Sequence, residues 1–232
     1  MLQHERHEQE VGVVDTGGLP RRWITYAAGI YLLTLGVSLA IRAGIGISPQ
    51  SSLTRTMTLV FPGMSQGTFN FLLELVMLAL TYLVMPKAFR LRNFLSLVPA
   101  LALATFLDLN LRLTQWIVPD AYAARFALLV FADALLAFGL FLMIRANLVL
   151  MPVDMFVNTV FRRKGWKWGN IKTAFDCTLL VVSVAVGLIC LGAPHFVREG
   201  TVINGVLVGQ YVRLYFFLFH RLRPRRERTD RG

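Results

Sequence analysis

Four acidic side chains and one arginine lie about two helical turns or more inside long apolar stretches of this sequence, where ionised groups are uncommon. Asp108, Asp133 and Arg213 stand well inside such stretches, and Glu74 and Asp176 stand about two helical turns from an end. A charge at the centre of a bilayer costs about 2.5–3.5 kcal/mol on insertion scales. These groups should therefore face one another or water rather than lipid, as a salt bridge, a proton site or a site for a polar solute.

Asp108 and Arg213 occupy matching places in the third and the sixth apolar stretch. The sequence predicts an Asp108–Arg213 ion pair, or an Arg213 that is shared with Asp133. One interpretation is a static salt bridge that locks two halves of the protein together. The other is a substrate or proton site near the middle of the membrane. We favour the second, because ionisable groups inside a membrane are functional by default.

The elements that must position these residues are predicted to be membrane-spanning helices. The chain has 232 residues, 56% of them hydrophobic and 16% charged, with a mean hydropathy of +0.58. A soluble domain would carry about 25% charged residues. The apolar stretches are continuous rather than alternating, which excludes transmembrane β-strands, and each is near the ~20 residues of a spanning helix. The predicted spans are 23–41, 68–85, 94–116, 124–144, 170–191 and 201–220.

The domain organisation that follows is one transmembrane domain, 23–220, between two polar tails. Residues 1–22 lack the apolar core of a signal peptide and are predicted to be a disordered cytoplasmic tail. Residues 221–232 are predicted to be a basic cytoplasmic tail. The distribution of positive charge supports placing both tails in the cytoplasm, because cytoplasmic loops retain Lys and Arg. The basic residues on the opposite side would be only Arg42, Arg55, Arg125 and Arg198, apart from Arg112 and Arg213, which lie inside spans.

The net charge of +11 then has a simple explanation in basic cytoplasmic edges that meet anionic lipid. No nucleic-acid partner is expected. The sequence contains no Walker loop, no metalloprotease motif and no nucleophile elbow. Cys177 and Cys190 are interpreted as small packing residues. We therefore predict no enzyme activity, no metal and no cofactor.

Two segments of the sequence repeat each other at a spacing of 103 residues: L-A-I-R-A-G-I-G-I-S-P (39–49) and L-M-I-R-A-N-L-V-L-M-P (142–152). Extended further, the alignment matches Glu74 with Asp176 and Asp108 with Arg213. Each half, 23–116 and 124–220, then holds three spans. Because three is odd, the second half must cross the membrane upside down relative to the first, as in the inverted repeats of secondary transporters.

Each half also contains a short helix that begins at a proline. Ser48 is a good N-cap for a helix starting at Pro49. Pro152 starts the second short helix, with Asp154 near its positive end. The two helices, predicted over 49–60 and 152–163, are too short to span. Each is either an interfacial helix or a re-entrant half-helix that points into a polar site.

A small-residue pattern, Gly205-x-x-x-Gly209, lies in the sixth span and is mirrored by Ala100 and Ala104 in the third. Such patterns let helices approach closely. We predict that the third and sixth spans pack against each other. Formation of a homo-oligomer through this pattern is the alternative.

The stretches G-V-S-L-A-I-R-A-G-I-G-I-S-P (36–49), S-Q-G-T (65–68) and G-T-V-I-N-G-V-L-V-G (200–209) resemble the YczE/YitT-like family of bacterial integral membrane proteins. The resemblance covers about 23–220 and implies an integral fold in the bacterial cytoplasmic membrane, without implying a substrate. The family often has an aromatic residue and an acid where this chain has Gln50 and Ser51. It also often has an acid at the position of Arg213.

The leading functional prediction is a small permease for a polar or anionic solute. Asp108, Asp133, Arg213, Pro49, Pro152 and Asp154 are its expected binding residues. Glu74 and Asp176 are expected to share one role, such as bonding to the short-helix region. The alternative is a non-transporting scaffold that binds a partner protein through the basic 162–167 loop and the C-terminal tail.

Overall fold

The computed structural model describes residues 18–164 and 168–222, and their fold is all-α. Within them the α-helices are α1 (Leu19–Ala43), α2 (Pro49–Val60), α3 (Gln66–Val84), α4 (Leu97–Leu113), α5 (Tyr122–Ala146), α6 (Pro152–Lys164), α7 (Trp168–Leu191) and α8 (Glu199–Leu222). Two 3₁₀ turns, Pro86–Ala88 and Leu91–Ser96, lead into α4.

Six segments are long and apolar enough to cross a membrane, which confirms the six predicted spans. They are Leu19–Ala43, Gln66–Val84, Leu91–Leu113, Tyr122–Ala146, Asn170–Leu191 and Glu199–Arg221. The two short helices begin at Pro49 and Pro152, as predicted. One boundary differs, because α1 begins at Leu19, inside the predicted N-terminal tail, with Pro20 in its first turn. The rest of that tail, 1–17, and residues 223–232 of the other tail lie outside the described residues.

The first span of each half ends in the same way. After the Arg-Ala step, Gly44 ends α1 with a φ of 69°, and Asn147 ends α5 with a φ of 44°. Both values lie in the left-handed region, which glycine adopts freely and asparagine tolerates better than most residues. The repeated Arg-Ala-Gly and Arg-Ala-Asn steps are therefore helix stops that release the chain towards each short helix.

Helices α1 and α5 form the centre of the bundle and approach each other closely at three glycines. A Cβ atom on Gly36 would lie 2.6 Å from the backbone nitrogen of Leu136, and one on Gly29 would lie 2.8 Å from the carbonyl oxygen of Gly139. Gly139 faces the backbone of α1 in the same manner. Small residues here allow backbone to contact backbone, which is how membrane helices gain packing energy without a hydrophobic driving force.

The outer helices flank this central pair. Helix α4 packs against α1 and α3, and α8 packs against α5. The predicted packing of the third span against the sixth through matching small residues is therefore wrong. Ala100 and Ala104 are buried, but the surroundings of Gly205 and Gly209 are open within the described part of the chain. The sequence pattern could not show this, because it does not reveal which neighbour a helix face meets.

Candidate functional site

The two short helices lie along α3 with their N-termini facing each other. Phe61, just after α2, packs on Phe69 near the beginning of α3, with 6.2 Å between ring centroids. Near the end of α6, the guanidinium of Arg163 donates a hydrogen bond to the carbonyl oxygen of Val84, at the end of α3. Helices α2 and α6 thus approach the middle of α3 from its opposite ends.

Both short helices begin at the side chain of Glu74. Its Oε1 accepts a hydrogen bond from the Gln50 side-chain amide at 3.3 Å, and its Oε2 accepts one from the backbone N–H of Val153 at 3.0 Å. Glu74 is only 1% exposed. It is the ninth of the 19 residues of α3. Both helix starts therefore lie near the mid-length of a candidate span.

The local sequence explains why a carboxylate is needed at α6 and a hydroxyl is sufficient at α2. Ser48 caps α2 through its own side chain, which accepts from the Ser51 N–H at 3.4 Å, as predicted. Pro152 is preceded by Met151, which cannot cap a helix. Glu74 supplies the missing acceptor from another element, and its charge suits the positive end of the helix.

Amide side chains surround the same point. Gln50 also donates to Asn70 Oδ1 at 3.1 Å, so both amides share the surroundings of Glu74. Asn70 Nδ2 has no partner among the described residues. At the start of α3, roughly 12 Å from Glu74 along the helix, neither polar atom of the Gln66 side chain has one. Both side chains are buried. Because buried polar atoms are normally hydrogen-bonded, these unpartnered atoms indicate a place that a polar ligand or water can occupy.

A row of hydroxyls continues the polar surface along α2. Ser52 and Thr56 lie 3.0 and 3.2 Å from the hydroxyl of Ser183 on α7, measured between oxygen atoms. By contrast, the side of α6 near its start buries Val153 and Val157. The surroundings of Glu74 are therefore polar towards α2 and more apolar towards α6.

Asp154 lies on the α6 side of the site, and Asp176 of α7 interacts with Asp154. Asp176 pairs with Lys172 at 2.9 Å, one turn earlier in α7. Burial raises the pKa of Asp154, Lys172 opposes the shift and Asp176 adds to it. The predicted common role of Glu74 and Asp176 is thus met only by Glu74, which bonds directly to a short helix.

Asp133 forms a separate buried polar contact. It lies in α5, is 0% exposed, and its Oδ1 accepts a hydrogen bond from Asn204 Nδ2 of α8 at 2.5 Å. Its Oδ2 has no partner within the described chain. Arg213 lies nine residues beyond Asn204, roughly 13 Å further along α8, so it does not share Asp133.

The predicted Asp108–Arg213 ion pair is wrong. Asp108 accepts hydrogen bonds from the Ser65 hydroxyl at 2.5 Å and from the Gly67 N–H at 2.7 Å, so it caps the start of α3. Arg213 is exposed on α8. The two residues match in the repeat, but α4 and α8 do not pack together, and the matching positions therefore do not meet.

Two open pockets lie elsewhere on the molecule. One, of about 480 Å³, lies at the end of α3 between Val84, Lys87 and Arg163. The other, also about 480 Å³, lies beside Asp108 and Arg112. Glu74 lines neither of these two pockets. Among the described residues, no three His, Cys, Asp or Glu side chains are grouped in a way that could hold a metal ion.

Six apolar spans, with two short helices that begin inside the bundle, define the chain as a polytopic membrane protein. The chain belongs to the family of unknown function DUF6198, which it matches over residues 20–216. It is 24% identical over 195 residues to "Uncharacterized membrane protein YczE" of Bacillus subtilis (strain 168), covering 83% of this chain and 84% of that protein. These matches confirm the YczE-like resemblance. No solved structure matches the chain.

Proposed function

We propose that the chain is a small permease built from two inverted three-span halves, which moves a small polar or anionic solute past the starts of α2 and α6. The observation that carries this proposal is the meeting of both short-helix starts at Glu74, buried near the middle of a span. Half-helix starts at this depth are the sites that secondary transporters use. The unpartnered Asn70 amide nitrogen beside them supplies a polar contact for a solute.

Equivalent backbone positions in the two halves receive equivalent contacts, which supports the inverted repeat. Asn110 of α4 donates a hydrogen bond to the carbonyl oxygen of Tyr31 in α1 at 3.4 Å. Tyr215 of α8 donates one to the carbonyl oxygen of Ala134 in α5 at 3.0 Å. Tyr31 and Ala134 are 103 residues apart, the spacing of the two quoted segments. The third span of each half is therefore attached to the first span at the same place.

The short helices are exchanged between the halves, which also supports the repeat. Helix α2 of the first half packs against α7 of the second, and α6 of the second half packs against α3 of the first. Each half thus supplies a half-helix to a groove that includes the other half's second span. An exchange of this kind places the solute site at the boundary between the halves, where their relative movement would open and close it.

Side-specific labelling tests the repeat together with the proposed orientation in a bacterial cytoplasmic membrane. In a chain with Cys177 and Cys190 replaced by alanine, Gly63→Cys and Arg162→Cys are expected to react from opposite faces. Gly63 follows α2 and Arg162 lies near the end of α6, and both are exposed. A membrane-impermeant maleimide should label Gly63→Cys in intact cells and Arg162→Cys only after permeabilisation. Labelling of both from one face would contradict the inverted repeat.

Solute flux tests the permease itself. Asn70→Leu is expected to lower flux by about tenfold or more, because it removes a buried amide that faces the site. The measurement is uptake of small anions, cations and neutral polar solutes by proteoliposomes. Thr178→Val is the matched control: Thr178 is an exposed polar residue of a span that bonds only within its own helix, and its loss should leave flux unchanged.

The alternative function, a scaffold for a partner protein, would give a different result. Wild-type protein would then move none of the tested solutes and would co-purify with a partner bound to the basic 162–167 loop and the C-terminal tail. Most of that surface lies outside the described residues. Arg163 is one of the described residues of this surface, and its side chain donates a hydrogen bond to the carbonyl oxygen of Val84 at the end of α3. Flux in wild-type protein that Asn70→Leu reduces would exclude a purely scaffolding role.

A further inference from the structure

The Glu74 carboxylate occupies the place of a bound anion. The first N–H groups of a helix carry partial positive charge and form a ready site for small anions. At α6 the Val153 N–H is directed at Glu74 Oε2, 3.0 Å away. Glu74 comes from α3, so the ligand of this helix start is a side chain that can be withdrawn without unfolding α6.

The groups around this carboxylate are donors. The Val153 N–H and the Gln50 side-chain amide already bond to it. Asn70 Nδ2 has no partner within the described chain, while Asn70 Oδ1 is held by the same Gln50 amide. A cation site would present unpartnered oxygen atoms at this point. The donors that converge here instead match an anion.

The charged and titratable neighbours make two negative charges at this point unfavourable. Lys172 of α7 attracts the Glu74 carboxylate, and Asp154 of α6 repels it. Tyr26 of α1 also interacts with it. Helix α4 contributes Asp108 and Arg112 only at the start of α3, roughly 12 Å away. Because like charges in one buried site disfavour each other, an anion and an ionised Glu74 cannot be held together.

We propose that a small monovalent anion binds in place of the Glu74 carboxylate once that carboxylate has taken up a proton. The neutral side chain accepts from the Val153 N–H more weakly than the carboxylate did, so the anion displaces it and binds the freed donors. The site gains one proton and one negative charge, so its net charge does not change. This inference rests on the proposed permease function and adds to it a substrate class and a coupling to protons.

Chloride efflux from proteoliposomes tests the inference, with potassium and valinomycin present to balance charge. Wild-type efflux is expected to be about tenfold or more faster near pH 5.5 than near pH 7.5, because only a protonated Glu74 leaves the donors free. Glu74→Gln is neutral at both pH values and keeps the shape of the side chain. Its efflux should be fast at both, with a pH ratio near one.

Asp176→Asn is the matched control. It neutralises the carboxylate at the matching position of α7, which bonds to Lys172 and not to the start of a short helix. This variant should retain the pH ratio of the wild-type protein. A loss of pH dependence in Asp176→Asn that equals the loss in Glu74→Gln would assign the effect to general electrostatics and would overturn the role of Glu74.

The outcomes separate this inference from the permease function. If Glu74→Gln moves chloride with the pH ratio of the wild-type protein, the inference fails and transport stands. The same conclusion follows if neutral solutes or cations are moved but chloride is not. If neither protein moves any solute, the permease function fails.

Thermal unfolding in detergent provides a readout that does not depend on flux. Near pH 7.5, chloride is expected to raise the Tm of Glu74→Gln, because a ligand that binds only the folded state stabilises it. The wild-type Tm should respond much less, since its own carboxylate fills the site. Equal responses of the two proteins to chloride would contradict the inference.

Discussion

Leucine in place of Gly36 or Gly139 is expected to prevent α1 and α5 from packing, with a loss of at least about 3 kcal/mol in unfolding free energy, the upper end of the usual cost of overpacking. A Cβ atom at Gly36 would lie 2.7 Å from the carbonyl oxygen of Ala132, and one at Gly139 would lie 2.6 Å from that of Gly29. Real Cβ contacts are essentially never shorter than 3.0 Å. Both obstacles are backbone atoms of a rigid helix, so the helices must separate.

The yield of monodisperse protein in detergent and its Tm measure this effect. Gly205→Leu is the matched control, because it makes the same change within a span whose surroundings at that position are open. It should leave yield and Tm close to those of the wild-type protein. A loss in Gly205→Leu as large as in Gly36→Leu would show that the α8 face packs against another molecule, as the homo-oligomer alternative requires.

The second large effect is expected at the contact between α5 and α8. Asn204→Leu should lower the unfolding free energy by about 1–3 kcal/mol, because it leaves the buried Asp133 carboxylate without its hydrogen-bond donor. The donor–acceptor distance is 2.5 Å, and Asp133 Oδ2 has no other partner among the described residues. Leucine has the same branched arrangement of four side-chain heavy atoms as asparagine but carries bulkier methyl groups, so a second variant is needed to distinguish the lost hydrogen bond from packing.

A double variant separates the polar contact from the packing. Asp133→Leu combined with Asn204→Leu should be much closer to the wild-type protein than Asn204→Leu alone, since replacing both partners by apolar groups leaves no polar atom unsatisfied. Asn110→Leu is the control: Asn110 is also buried but donates to the neutral Thr34 hydroxyl at 2.9 Å. Its smaller loss should not be rescued by Asp133→Leu. Simply additive losses at 133 and 204 would show that the contact is not energetically coupled.

Local sequence patterns predicted some features of the candidate site and missed others. Ser48-Pro49 and Pro152 correctly predicted the starts of the short helices, because capping and proline geometry act within one helical turn. The repeat alignment also singled out Glu74 as a residue for the short-helix region. The role of Gln50 and Asn70 was missed, although Gln66, Asn70 and Glu74 recur at four-residue spacing and so lie on one face of α3. That polar stripe was the available signal.

The Asp108–Arg213 prediction failed for a physical reason. The alignment placed the two residues at equivalent positions, and it was assumed that equivalent positions meet. In the structure the equivalent central helices α1 and α5 pack against each other. Helix α4 packs against α1 and α3, whereas α8 packs against α5. Residues that align in sequence are brought together only where their helices pack against each other. The close glycine contacts bring α1 and α5 together, and no comparable contact joins α4 and α8 among the described residues.

By itself the sequence determined the six spans, their helical class, the helix stops after Arg42 and Arg145 and the two short helices. These follow from hydrophobic length and from the backbone preferences of proline, glycine and serine, which are local properties. Only the tertiary structure decided that Glu74 joins both short helices, that Asp108 caps α3 and that Asp133 bonds to Asn204. Those contacts depend on how each helix is rotated about its axis and on which neighbour it meets. Packing across the whole bundle sets both, and no single stretch of sequence records either.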